Sequence, residues 1–357
     1  SLVLAILTIL VLLPLVTVLL QVICPGLKPG ELDMGNMSLV MDVFVRPLWK
    51  KAFINSASMS LCTTVLGLCL AGVLAHIRVK YDFPLAKLLD VVSWILMIMP
   101  SFILAQGWVF FASGNGIARS WLHIEGMNNF LFSFPGLVTV MVLCKYPMAY
   151  VAIKAALEWY PARLVHAARI NGASPLKVWT SVQLPLCMPT YFSAAMLIFM
   201  DTVGDYGMSS TITAVYSFPT LPYTIYSAIC SSPVRFDMAG GLSLYLVVMI
   251  VIAMALQFYM MGRKRFDYLG SGTEQVTPRK TGPAAAVMLT AVTGGFCLVA
   301  LGIPVGSNFI MSFSDSFSIE KFRFTLANYQ NVLQLDGALL EGVRHSLSLA
   351  AVAAVIG

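Results

Sequence analysis

Seven predominantly apolar runs, each long enough to cross a bilayer, dominate this chain as candidate spans: 2–24, 52–77, 84–111, 131–157, 187–208, 239–261 and 283–305. A helix needs about 20 apolar residues to span a hydrocarbon core. In lipid the backbone has to satisfy its own hydrogen bonds, so such runs become helices. An eighth run begins near residue 342 and is cut off by the last residue, Gly357; the chain begins at Ser1 and reads as part of a longer protein. Charged residues make up only 11% of the sequence, against about a quarter in soluble domains. The fold class expected is therefore all-α, a polytopic transmembrane helix bundle. Residues 2–24 lack a basic leading segment and a small-residue cleavage site, so they are expected as a membrane helix rather than a signal peptide. Pro14, Pro100, Pro147 and Pro304 fall inside runs and are expected as kinks.

Composition excludes several functions. There is no GxxxxGK[ST] phosphate loop, so the chain does not itself bind ATP in one. The seven cysteines form no CxxC and mostly lie in apolar runs, and the four histidines are scattered, so neither disulfides nor a metal site is expected. No catalytic constellation and no cofactor motif is present, and a net charge of +6 spread along membrane helices is no nucleic-acid signature. Lys and Arg orient the bundle. With the N-terminus in the cytoplasm, the inner segments 78–90, 154–186 and 262–282 hold twelve of them, and much longer outer stretches hold nine.

Three charges fall at membrane depth, where each is a functional hypothesis by default: Lys145, Asp201 and Asp205. Counted from the inner ends of their runs, Lys145 lies about 18 Å deep and Asp201 about 21 Å deep. The two are thus expected to be able to pair, either as a polar wall of a pathway or as a structural pair. Asp205-Tyr206 sits nearer the outer end, between Gly204 and Gly207, where the helix is expected to loosen.

Between two apolar runs lies the most distinctive stretch, HAARINGASPLKVWTSVQLPLCMP at 166–189. A short helix is expected up to Ile170, with Leu164, Ala167, Ala168 and Ile170 on an apolar side. Gly172 breaks it, Ser174 caps a second helix and Pro175 opens it. Leu184-Pro185 and Pro189 are expected to end that second helix and lead into the next membrane run. The pattern His166-Ala167-Ala168, Gly172-Ala173, Ser174-Pro175 and Leu184-Pro185 resembles the EAA loop of permease subunits of binding-protein-dependent ABC importers. His166 stands where that family usually has an acid. The resemblance implies the MetI-like permease fold, a coupling loop at 158–186 that seats in a separate ATP-binding subunit, two copies of that subunit, and an external solute-binding protein. It also implies a bacterial inner-membrane location, and that any ATP hydrolysis belongs to the partner subunit.

A weak repeat accompanies the loop. Pro14 and Pro304 are 290 residues apart, and at that offset Asn55-Ser56, Ser58 and Gly67 meet His345-Ser346, Ser348 and Gly357. Six runs separate the copies, so the halves are parallel in topology, unlike the inverted repeats of many secondary transporters. The expected domains are a first permease half at 1–261, a basic cytoplasmic linker at 262–282 and the start of a second half at 283–357. A two-half chain of this kind, with DTVGDYG at 201–207 and FTLANYQNVL at 324–333, resembles the fused ferric-ion permeases. Thiamine, polyamine and phosphonate permeases are related alternatives. An ATP-independent secondary transporter or channel is the rival of another class.

Overall fold

The computed structural model describes residues 45–159, 162–213, 216–262, 278–316, 322–334 and 338–356, together with the single positions 8, 9, 12, 13, 16, 17, 41 and 319. Most of the expected first span, 2–24, and residues 263–277 of the expected linker lie outside the described residues. The described chain is helical, with one two-residue parallel strand pair. Among the described residues five helices are long and apolar enough to cross a membrane: α1 (Pro47–Lys80), α4 (Phe134–Glu158), α6 (Pro175–Val203), the stretch Met238–Met261 within α9 (Phe236–Gly262), and α10 (Pro283–Ser312). Between α1 and α4 lie α2 (Ala86–Ile98) and α3 (Ser101–Ala112); α5 (Ala162–Ile170) precedes α6, and α7 (Gly207–Thr213) and α8 (Leu221–Cys230) follow it. The chain finishes with α11 (Ala327–Gln334) and α12 (Ala338–Ile356).

The expected single span at 84–111 is corrected. It is a broken pair, with α2 and the segment Ser101–Ser120 meeting at 107°. Pro100 is the cause. A proline forces the preceding residue out of the helical region, and Met99 is extended, with φ −71° and ψ 129°. The 187–208 run also breaks: α6 stops at Val203 and α7 restarts at Gly207.

The core is α1 against α4 and α6. The buried face of α1 includes the small residues Ser56, Ser60, Thr63, Gly67, Ala71, Gly72 and Ala75 beside Trp49, Met59 and Leu74, and small residues let helices approach closely. At Gly67 an added Cβ would lie 3.3 Å from Ile198 Cδ1, and at Gly72 3.2 Å from Tyr191 Cε1, so both glycines mark the α1–α6 contact. Of these helices α4 is the most enclosed, with Met141, Tyr146, Ala149, Tyr150 and Ile153 at 1% exposure or less. Near its Glu158 end, Asp90 of α2 gathers Arg78 of α1 and Lys154 and Tyr150 of α4.

The expected end of the second coupling helix at Leu184-Pro185 is also corrected. Pro175 to Val203 is one continuous helix with Pro185 and Pro189 inside it. The turn before Pro185 opens into a π turn at Trp179–Gln183, closed by Leu184 N–H to Trp179 O. Widening the turn there lets the helix pass a residue that has no N–H to give. The same device recurs in α10, where a π turn at Leu298–Gly302 precedes Pro304. α10 packs on α3: Asn308 Nδ2 donates to Ile103 O at 2.8 Å, and a Cβ on Gly107 would meet the Pro304 carbonyl. The parallel pair Tyr81–Asp82 with Arg279–Lys280 ties the chain entering α10 to the end of α1.

Candidate functional site

Two helix breaks face each other. Residues Leu96–Ser101, from the α2–α3 break, and Met200, Asp201 and Gly204–Gly207, from the α6–α7 break, line a cavity of about 490 Å³; Cys144, Lys145 and Met148 of α4 complete its wall. Non-helical backbone at membrane depth is tolerated where it is buried in protein or lines a cavity. The breaks fit closely. A Cβ at Gly207 would lie 2.7 Å from Ser101 Oγ and 3.2 Å from Phe102 N, so only a residue without a side chain lets α7 start against the first turn of α3.

The four pathway residues anticipated from sequence, Lys145, Asp201, Asp205 and Tyr206, all line this cavity. Lys145 Nζ lies 2.5 Å from Asp201 Oδ2 and 2.6 Å from Asp205 Oδ2. The depth count anticipated the first pairing and missed the second, because the break after Val203 turns Asp205 back toward α4. Asp205 is held on every side. Its Oδ1 accepts from Met208 N–H at 2.8 Å, capping α7, and from Ser101 Oγ–H at 3.1 Å. Its side chain is 5% exposed, while that of Asp201 is 37% exposed. One ammonium faces two carboxylates, so the cluster carries a formal net charge of −1, and Asp201 brings it to the cavity surface. The Tyr206 ring packs against Tyr226 of α8, centroids 4.7 Å apart and tilted at 45°.

The second assembly is the helical corner. Gly172 has φ +81°, and nothing lies within 4 Å of a Cβ built there, so the demand for glycine comes from the backbone alone. The hydrogen bonds explain it. Ala173 N–H reaches back to Ala168 O at 3.0 Å and Gly172 N–H to Arg169 O at 2.9 Å, the paired bonds of a Schellman cap with glycine at the left-handed position. Ser174 then caps the next helix, its Oγ accepting from Lys177 N–H at 3.4 Å, with Pro175 in the first turn. His166 and Ala167 are exposed, Ala168 is partly exposed, and Leu164, Ile170 and Leu176 stand out at 43%, 86% and 71%. Val165 and Val178 are the residues this segment buries. The anticipated apolar side of α5 thus faces away from the bundle.

Sequence reasoning missed Ser101, the Met99-Pro100 break and His76. In sequence Pro100 looks like a kink tolerated inside a span, and His76 is one of four scattered histidines. The Pro100-Ser101 pair inside an apolar run is the signal available for the first two. Among the described residues no cluster of His, Cys, Asp or Glu is arranged to hold a metal ion.

Comparison with known proteins agrees with this geometry. A family model described as binding-protein-dependent transport system inner membrane component matches residues 64–265. The trehalose transport system permease SugB of Mycobacterium tuberculosis is 26% identical over 183 residues, 51% of this chain and 62% of that protein. The chain thus spans less than two thirds of that relative. The molybdenum transport system permease ModB of Escherichia coli is 27% identical over 191 residues, 52% of this chain and 82% of ModB. In fold, the chain is similar to a chain of the bacterial alginate ABC transporter solved with its pentasaccharide-bound periplasmic protein, at a TM-score of 0.56 and 16% identity, covering 75% of this chain and 93% of that one.

Proposed function

This chain belongs to the binding-protein-dependent transport system inner membrane component family, and we propose that it lines the route of an ATP-driven importer for a solute that an external binding protein delivers. ATP hydrolysis falls to separate subunits, two copies of which grip the corner at 158–186 from the cytoplasm. The observation that carries this is α6. One helix of 29 residues, Pro175–Val203, begins at the corner and about seven turns later carries Asp201 into the cavity wall. At helical rise it is a rod about 43 Å long. A push on the exposed Ile170 and Leu176 therefore reaches the cavity wall through a stiff element. Closure and release of the ATPase pair then rock the bundle between outward and inward states.

The solute proposed is a cation, with ferric iron as the specific case. The net −1 wall attracts positive charge, and the exposed Asp201 carboxylate and Tyr206 phenol are hard oxygen donors of the kind hard cations prefer. The likeness of DTVGDYG at 201–207 to the ferric-ion permeases supports the same choice. These groups form a wall that an ion passes rather than a resting site. Thiamine and polyamines are cations and suit the same wall. A phosphonate or the oxyanion suggested by the ModB likeness does not, because no uncompensated cation faces the cavity among its lining residues.

Uptake of radioactive iron, a polyamine and molybdate should be measured in cells carrying the permease, with and without the ATPase and the binding protein. Iron uptake that needs all three components is expected. Molybdate uptake overturns the cation assignment, and uptake that continues without the ATPase favours a secondary transporter. Cysteine labelling from the cytoplasm checks the orientation: positions in 160–180 and 265–280 should react, and those in 115–125 and 310–335 should not.

A further inference from the structure

Trp179 is the first residue of the π turn in α6, at the point where the coupling segment becomes the membrane rod. Its indole Nε1–H donates to His76 Nε2 of α1 at 2.9 Å, and the two rings meet edge to face at 6.0 Å. An acceptor at Nε2 places the imidazole proton on Nδ1, and Nδ1 lies 2.8 Å from Gly72 O, which receives it. Tyr191, three turns further along α6, brings its hydroxyl to 3.3 Å from the same Nδ1. It fits there because Gly72 has no side chain: a Cβ would lie 3.2 Å from the Tyr191 ring. His76 therefore holds α6 at two heights, one on each side of the π turn. A π turn is a soft place in a helix, and a joint that bridges it decides whether a push from below bends the helix or moves it whole.

We propose that the His76–Trp179 bond is the transmission joint of this permease, the contact that makes α1 and α6 move as one body when the coupling corner is displaced. His76 and Trp179 are positioning residues: both are half-buried against each other, neither is among the exposed corner residues assigned to the ATPase, and they act by keeping the rod straight. The transmission role rests on the importer reading given above.

Four variants test it. Trp179→Phe keeps an aromatic ring and removes the N–H; His76→Leu removes the acceptor; His76→Gln retains an acceptor oxygen at a similar reach; the fourth is the double variant Trp179→Phe/His76→Leu. Hydrogen exchange of the backbone amides of 166–183 is measured on the purified permease alone, and uptake per ATP hydrolysed on the full importer. Faster exchange and about a fivefold fall in uptake per ATP are expected for both single disruptions, the population change worth one hydrogen bond. The double variant is expected to be no worse than either single, and His76→Gln to behave as the parent. ATPase retained on the purified permease should be unchanged throughout. Unchanged exchange in Trp179→Phe and His76→Leu overturns the joint. So does faster exchange with parental uptake per ATP, which leaves the bond a structural one. Uptake by the parent without any ATPase overturns the importer reading itself, before the variants are compared.

Discussion

Two knots of charge tie this bundle together, and they are built on opposite plans. Around Asp90, charges balance: Arg78 Nε at 2.8 Å and Lys154 Nζ at 2.9 Å answer its two oxygens, the Tyr150 hydroxyl donates at 2.7 Å, and Glu158 lies 3.6 Å from Lys154. Two cations meet two anions, and all three helices involved, α1, α2 and α4, run unbroken through the knot. Around Lys145, one cation meets two anions, both acidic partners sit at a helix break, and an open cavity lies alongside. Balanced, fully answered charge holds elements together. Unbalanced charge beside interrupted helices leaves something for a solute to meet. The two knots differ in charge count and in the state of the neighbouring backbone, as well as in their place along α4.

The sharpest way to break this contrast is Lys145→Met. It leaves the Asp205 carboxylate, 5% exposed, without its cation and beside the 37% exposed Asp201, and removing one partner of a buried pair costs about 3–5 kcal/mol. Folded permease recovered after mild heating should collapse, and adding Asp205→Asn should restore much of it. If the single and double changes are strictly additive, the pair is no pair. Asp90→Asn comes next, weakening two charged hydrogen bonds at a cost of about 2 kcal/mol. Thermal stability should fall while uptake per surviving molecule holds. A fall in uptake at unchanged stability would make the Asp90 knot a gate and erase the distinction drawn here.

Asp201→Asn tests the other side. Asp205 still pairs Lys145, so stability should change little, while removal of the exposed negative charge should cut cation uptake about tenfold, equivalent to about 1.4 kcal/mol at the barrier. Parental uptake by this variant would make Asp201 a strut like Asp90. The smallest effect on the fold is expected from Gly172→Val, which touches neither knot. Forcing a side chain into the left-handed region costs about 1–2 kcal/mol, confined to the corner. Membrane abundance should hold and ATPase co-purification should fall. Normal co-purification would show that the corner tolerates re-aiming.

What could be read in advance follows from local rules. Apolar runs have to become helices in lipid, so the all-α bundle was legible from hydropathy. The Gly172 corner was legible because a Schellman cap needs only neighbours in sequence: Ala168, Arg169, Gly172 and Ala173 complete it among themselves. The depth of Lys145 and Asp201 followed from counting residues along straight helices. Where helices are not straight, the count fails. Asp205 joins Lys145 only because α6 stops at Val203, and Ser101 reaches Asp205 only because Pro100 turns α3 by 107° from α2. Leu184-Pro185 looked like an end, yet the π turn carries the helix through it. Sequence by itself thus determined which segments are helices, which glycine makes the corner before α6 and which charges lie at membrane depth. Tertiary structure decided where those helices break and which charges meet there, because a break's direction is set by packing between elements distant in the chain, and Gly207 against Ser101 is a contact that no local pattern encodes.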